Sequence, residues 1–202
     1  MTTEADRTAG SAAAGAHPAV LYADIAGSTR LYEVLGDAEA ERLIEEVLSA
    51  SAAITQQHGG RVIKTVGDAI MCLFASAELG FRAATAMQYK VDSLPVTGGL
   101  KRRIRIGFHA GPVIEEAGEL LGDTVSIAAA MSGRAKGMQI MTTRSTIEAL
   151  PSGLRGFTRE IKAIPVKGGA DDIVVCEVLW QDQGELIRAM ATLAVGRGVA
   201  GG

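Results

Sequence analysis

Two β-rich runs, Arg61-Val62-Ile63-Lys64-Thr65-Val66 and Ile70-Met71-Cys72-Leu73-Phe74, are separated only by Gly67-Asp68-Ala69. A spacer that short, with a Gly-Asp step in it, joins neighbouring antiparallel strands and leaves no room for a crossover. Before the hairpin, Leu31, Val34, Leu35, Leu43, Ile44, Val47 and Leu48 recur at helical spacing, and Gly59-Gly60 closes the run. After it, Ser76 to Lys90 is Ala-rich and amphipathic. A strand is predicted on the far side of each helix. Pro18 to Asp24 ends in a carboxylate, and Arg102 to Ala110 alternates with Ile104, Ile106 and Phe108 on one side.

The resulting β-α-β-β-α-β order is the ferredoxin-like arrangement. The fold class is therefore α+β: a ferredoxin-like core with additional strands and helices, its helices on one face of the sheet. Beyond the core, a small-residue helix is predicted over Thr124 to Lys136, and a short helix over Arg144 to Leu150. Strands are predicted near Val113-Ile114, Gln139 to Thr142, Arg155 to Ile161 and Ile173 to Trp180. Gly27-Ser28-Thr29 marks a turn into the first helix, with Ser or Thr as its cap. Gly36-Asp37 interrupts that helix, with Asp37 as the cap of its second part. Residues 1–16 read as a mobile N-terminal tail, 17–180 as the domain, and 181–202 as a C-terminal extension.

Composition removes several functions. The net charge is −3 and aromatics are 4%, which argues against a nucleic-acid binder. No window is apolar enough for a membrane span, and the two cysteines, Cys72 and Cys176, sit in apolar runs as buried hydrophobes. A cytoplasmic protein is expected. Gly196 to Gly201 matches a dinucleotide-binding glycine pattern, which needs a strand before it and a helix after it; with the sequence ending at Gly202, the match reads as accidental.

Asp24 at a strand end and Asp68 in the hairpin turn stand on strands that the fold would make neighbours. Paired carboxylates suit a two-metal site whose ions lie about 3.5–4 Å apart and clamp a phosphoryl transfer. The amides of Ile25, Ala26, Gly27, Ser28 and Thr29 would meet phosphate at a helix N-terminus. Spacing alone favours the plainer reading, a turn cap at Asp24 and an ordinary hairpin residue at Asp68.

These segments, in order, resemble the catalytic domain of class III adenylate and guanylate cyclases. The resemblance rests on Tyr22 to Thr29, Gly59 to Asp68, Arg105 to Val113, Gly122-Asp123-Thr124-Val125 and Pro165-Val166-Lys167-Gly168. It implies that Asp24 and Asp68, with the carbonyl of Ile25, hold two Mg²⁺ or Mn²⁺ ions. It implies that Arg105 and Lys167 hold the triphosphate of a nucleoside triphosphate, and that Lys64 and Glu119 select the base. It also implies a homodimer with catalytic residues split between two copies. Lysine with a carboxylate matches adenine, whose edge offers an acceptor at N1 and a donor at N6, so the implied reaction is ATP to 3′,5′-cyclic AMP and pyrophosphate. Read without the resemblance, Lys64 is a solvated strand lysine and Glu119 is one charge in an acidic stretch with Glu115 and Glu116.

The chain departs from the family pattern in one helix. Ser126 stands where the family carries the ribose-orienting Asn, and Ala130 where it carries the Arg that stabilises transition-state charge. The sequence contains no Asn. Arg134, one turn beyond Ala130, is either a substitute for that Arg or a surface residue at a helix C-terminus. A slow cyclase, a dimeric nucleotide-binding pseudocyclase, and a cyclase using another nucleotide all fit these departures.

Overall fold

A computed structural model of the 202-residue chain describes residues 17–165 and 172–198. The mobile-tail reading of residues 1–16 and the position of Lys167 lie outside the described residues. The chain runs β1 (Ala19–Ile25), α1 (Ser28–Leu35), α2 (Asp37–Gln57), β2 (Arg61–Val66), β3 (Ala69–Phe74), α3 (Ala77–Asp92) and β4 (Ile104–Ala110). It continues through β5 (Ile114–Glu116), β6 (Glu119–Leu121), α4 (Asp123–Arg134), β7 (Ile140–Thr143), α5 (Arg144–Glu148), α6 (Ser152–Arg155), β8 (Thr158–Ile164), β9 (Ile173–Val178) and α7 (Gln183–Gly198).

Seven strands form one sheet in the order β2-β3-β1-β4-β7-β9-β8. Each neighbouring pair among its first four strands is antiparallel, as the ferredoxin-like arrangement requires, and β7 joins β4 in parallel. Strand alternation sorts the side chains. Leu21, Ala23, Ile25, Ile70, Cys72, Ile104, Ile106 and Phe108 enter the main core with Val47, Phe81 and Met87 of α2 and α3. Val20, Met71, Leu120 and Ala128 form a smaller cluster on the opposite face.

That second cluster corrects one expectation, because helices cover both faces. On the face opposite α2 and α3, α4 lies directly against β4 at Gly107. A Cβ there would stand 1.9 Å from the backbone nitrogen of Ser132. Only a residue without a side chain lets helix and strand backbones approach so closely.

Three local expectations also change. Neither Ser28 nor Thr29 caps α1: the cap is Gly27, in the left-handed conformation at φ 75°, with no side-chain bond. Asp37 is not the cap of α2. That place belongs to Gly36, and Asp37 sits in the first turn, where its charge complements the helix dipole. The Val113-Ile114 strand is half of a separate hairpin, β5–β6. The 181–202 segment contains α7, which buries Leu186 in the main core and accepts a hydrogen bond from Arg82 at the Met190 carbonyl.

Candidate active site

Asp24 is the penultimate residue of β1, on the α4 side of the sheet, opposite Ala69 of β3 and Arg105 of β4. Arg105 donates from Nε to Asp24 Oδ2 at 2.6 Å, and a second guanidinium nitrogen also contacts that oxygen. Asp68 follows Gly67, whose φ of 59° bends the turn between β2 and β3. The Asp68 carbonyl accepts the Ile25 amide at 3.3 Å, which ties the turn to the end of β1.

The two carboxylates meet closely enough to affect one another. Asp24 is raised above the usual carboxylate range. Burial is the largest cause, the hydrogen bond from Arg105 opposes it, and the charge of Asp68 adds to it. Partial burial and a neighbouring like charge both disfavour the ionised form, and a cation placed between the two groups relieves both. The donors are oxygens only, which suits Mg²⁺ or Mn²⁺. Among the described residues no group of three or more His, Cys, Asp or Glu converges as a metal cluster. Two carboxylates alone would not fill the shell of such an ion, and water and substrate oxygens would complete it, the usual situation for Mg²⁺ with phosphates.

The amides expected to meet phosphate are reduced in number. The Ile25 amide is bonded to Asp68, and the Ala26 amide donates to the Arg103 carbonyl at 2.8 Å. The remaining candidates are Gly27, Ser28 and Thr29, which open α1. Beside them lies a cavity of about 360 Å³ whose lining includes Gly27, Arg30, Lys101 and Arg103. Arg30 and Arg103 are cavity-lining cations that no sequence motif singles out. The basic run Lys101-Arg102-Arg103 divides three ways. Arg102 is buried and bonds Glu46 at 2.5 Å, Lys101 pairs with Asp92 at 2.5 Å, and Arg103 lines the cavity.

On the α4 side of the sheet, Lys64 Nζ lies 2.5 Å from Glu119 Oε2. The bond to Glu119 is the main cause that raises the Lys64 pKa. Tyr22, on β1, feels both charges, although burial is the chief reason its own pKa rises. Ser126 is exposed on α4, and Ala130 packs toward β7 and β9 beside Met131 and Met141. Arg134 is exposed and donates to the Ala130 carbonyl at 3.1 Å, closing the last turn of its own helix.

An aspartate at a strand end, another in the adjoining turn, a glycine-opened helix and a lysine–glutamate pair across β2 and β6 together invite comparison with known proteins. The family described as the adenylate and guanylate cyclase catalytic domain matches residues 14–178. This chain belongs to that family. An adenylate cyclase of Anabaena cylindrica is 30% identical over 180 residues, 79% of this chain and 36% of that protein. A pH-sensitive adenylate cyclase of Mycobacterium tuberculosis is 27% identical over 190 residues, 84% of this chain and 47% of that protein. This cyclase-family chain thus spans between a third and a half of the length of these relatives.

Solved structures agree on the fold. The guanylate cyclase domain of a Catenaria anguillulae protein, in complex with GTP, superposes with a TM-score of 0.69 at 20% identity, over 81% of this chain and 96% of that one. The adenylyl cyclase CyaB from P. aeruginosa gives 0.64 at 19% identity, over 81% and 93%. No helix among the described residues is long and apolar enough to cross a membrane.

Proposed function

We propose that this cyclase-family domain converts ATP to 3′,5′-cyclic AMP and pyrophosphate at sites shared between two copies of the chain. The observation that carries the reading is the meeting of Asp68, in the β2–β3 turn, with Asp24, whose sheet face also presents the Lys64–Glu119 pair. In the reaction the ribose 3′-oxygen loses its proton and bonds to the α-phosphorus. The bond from that phosphorus to the bridging oxygen breaks, and pyrophosphate leaves with the electron pair.

The chain's own residues would divide the work. Asp24, Asp68 and the Ile25 carbonyl would hold two divalent ions, Mg²⁺ or Mn²⁺. Bound there, such ions acidify the 3′-hydroxyl and offset charge on the departing pyrophosphate. The amides of Gly27, Ser28 and Thr29, with Arg105 and Lys167, would bind the triphosphate. Lys64 would donate to adenine N1 and Glu119 accept from its N6 amine. Losing one donor aimed at transition-state charge costs about 10²–10³ in rate. The losses at Ser126 and Ala130 need not multiply, because groups acting as a unit are non-additive. Slow turnover follows.

A second reading is a dimeric pseudocyclase that binds nucleotide without turnover. The bond from Arg134 to its own helix favours it, since that arginine is not held out toward a substrate. A cyclase acting on another nucleotide is the third reading, and Glu119, one methylene longer than aspartate, is what favours it. One assay separates the three. Purified protein is incubated with each nucleoside triphosphate and Mn²⁺ or Mg²⁺, cyclic products are identified by mass spectrometry, and Asp24→Ala serves as control. Cyclic AMP that disappears in the control supports the proposal. A different cyclic product reassigns the base. No product from protein that still binds ATP makes it a pseudocyclase.

A further inference from the structure

The sheet face that carries Lys64 carries a second ion pair, between Arg61 and Glu115. Both pairs join the edge strand β2 to the β5–β6 hairpin, a two-stranded unit outside the main sheet. In a regular strand, residues three apart face opposite ways. Here Arg61 stands opposite Leu73 and Lys64 opposite Met71, and those partners are two apart on β3. The register shift between Val62 and Lys64 is a β-bulge, and its extra residue is what brings Arg61 and Lys64 to one face. Of the hairpin's six strand residues, one is buried. Leu120 is buried against Val20, Met71 and Ala128, whereas Ile114, Glu115, Glu116, Glu119 and Leu121 are exposed.

We propose that Arg61–Glu115 is a specificity latch. It fixes the position of the β5–β6 hairpin, and through it the placement of Glu119 against Lys64, so Arg61 and Glu115 act as positioning residues that need not touch nucleotide. The inference rests on the reading of Lys64 and Glu119 as the base-selecting pair. In the free protein those two side chains satisfy each other at 2.5 Å. An entering adenine exchanges that contact for contacts to N1 and N6, and the latch keeps the hairpin in place while it does so. The flexible glutamate at position 119 makes the latch matter, because a longer side chain loses more rotamer freedom on ordering unless its backbone is held.

The test uses the full chain, the variants Arg61→Ala and Glu115→Ala, and the charge-swapped double variant Arg61→Glu/Glu115→Arg. Backbone hydrogen exchange across 114–121 is measured without nucleotide. Affinities for non-hydrolysable ATP and GTP analogues and for inorganic tripolyphosphate are then measured with Mn²⁺. Each single variant exchanges faster in the hairpin and loses about three- to tenfold of its preference between the two bases. Tripolyphosphate affinity and Tm stay unchanged, because an exposed pair contributes little to global stability. The swapped variant recovers both slow exchange and base preference. Unchanged exchange and preference in the single variants, or no recovery on swapping, overturns the latch. Wild-type protein that binds neither analogue overturns the cyclase reading and the selection role with it, while the exchange data still decide whether the hairpin is latched.

Discussion

His109 is a buried titratable side chain whose hydrogen-bond partners are uncharged hydroxyls. It faces α5 from β4, with Nδ1 at 2.8 Å from Thr143 Oγ1 and 3.0 Å from Thr146 Oγ1. Burial lowers its pKa from the ordinary 6.5 to about 4. In the unfolded chain it regains the ordinary value. Between those two pH values the unfolded state binds more protons than the folded state, so stability falls as pH drops from about 6.5 and levels off below about 4. The full loss is on the order of 3 kcal/mol. Urea unfolding of wild type and His109→Gln at pH 7, 5.5 and 4.5 checks this. The variant, which cannot titrate, should show a shallower decline, and parallel declines would remove His109 from the account.

At the scale of elements, the approach of α4 to β4 rests on Gly107, and a second glycine on α4 makes no such demand. A Cβ on Gly107 meets backbone atoms of Met131 and Ser132 at 2.5 Å or less, so no side-chain rotation relieves the clash. Gly107→Ala should cost about 3 kcal/mol or more, the upper end of overpacking penalties. Gly133, on α4 itself, has nothing within 4 Å of its added Cβ. Gly133→Ala should be neutral or stabilise by about 0.5–1 kcal/mol through helix propensity. Thermal unfolding of the two variants compares them directly, and a harmless Gly107→Ala would mean that α4 is not seated as described.

The same elements show what could be read from the residues. Alternation of Ile104, Ile106 and Phe108 signals β4, and the short Gly-Asp spacer signals the β2–β3 hairpin, because both are local patterns that the backbone must obey. The face taken by α4 is not local. Gly107 looks like any strand glycine until the helix it admits is known. The bulge in β2 is equally silent, since Arg61-Val62-Ile63-Lys64 is an acceptable regular strand. The β5–β6 hairpin is hidden by its exposed acids, which leave no apolar alternation to detect. At the site, Asp24 and Asp68 could be placed together from topology alone. The loss of the Ile25 and Ala26 amides to Asp68 and Arg103 could not, because it depends on how two loops meet.

At the scale of the whole molecule, the question is whether one chain can complete a site. The proposed metal carboxylates stand at one end of β1, while Lys64 and Glu119 are reached through an edge strand and a separate hairpin. If two copies face one another head to tail, each site takes Asp24 and Asp68 from one copy and Lys64 and Glu119 from the other. Asp24→Ala and Lys64→Ala proteins, each inactive alone, should then regain activity when mixed. Random exchange at equal concentrations makes half of the dimers mixed, and each mixed dimer has one intact site of two, so recovery should reach about a quarter of the wild-type rate. Dilution should lower the specific rate of both wild type and mixture as dimers dissociate. A mixture no more active than its components, assayed at a concentration where sedimentation shows exchange between dimers, would mean that each chain carries its own complete site. The carboxylate pair and the lysine–glutamate pair would then have to reach one nucleotide along a single sheet face.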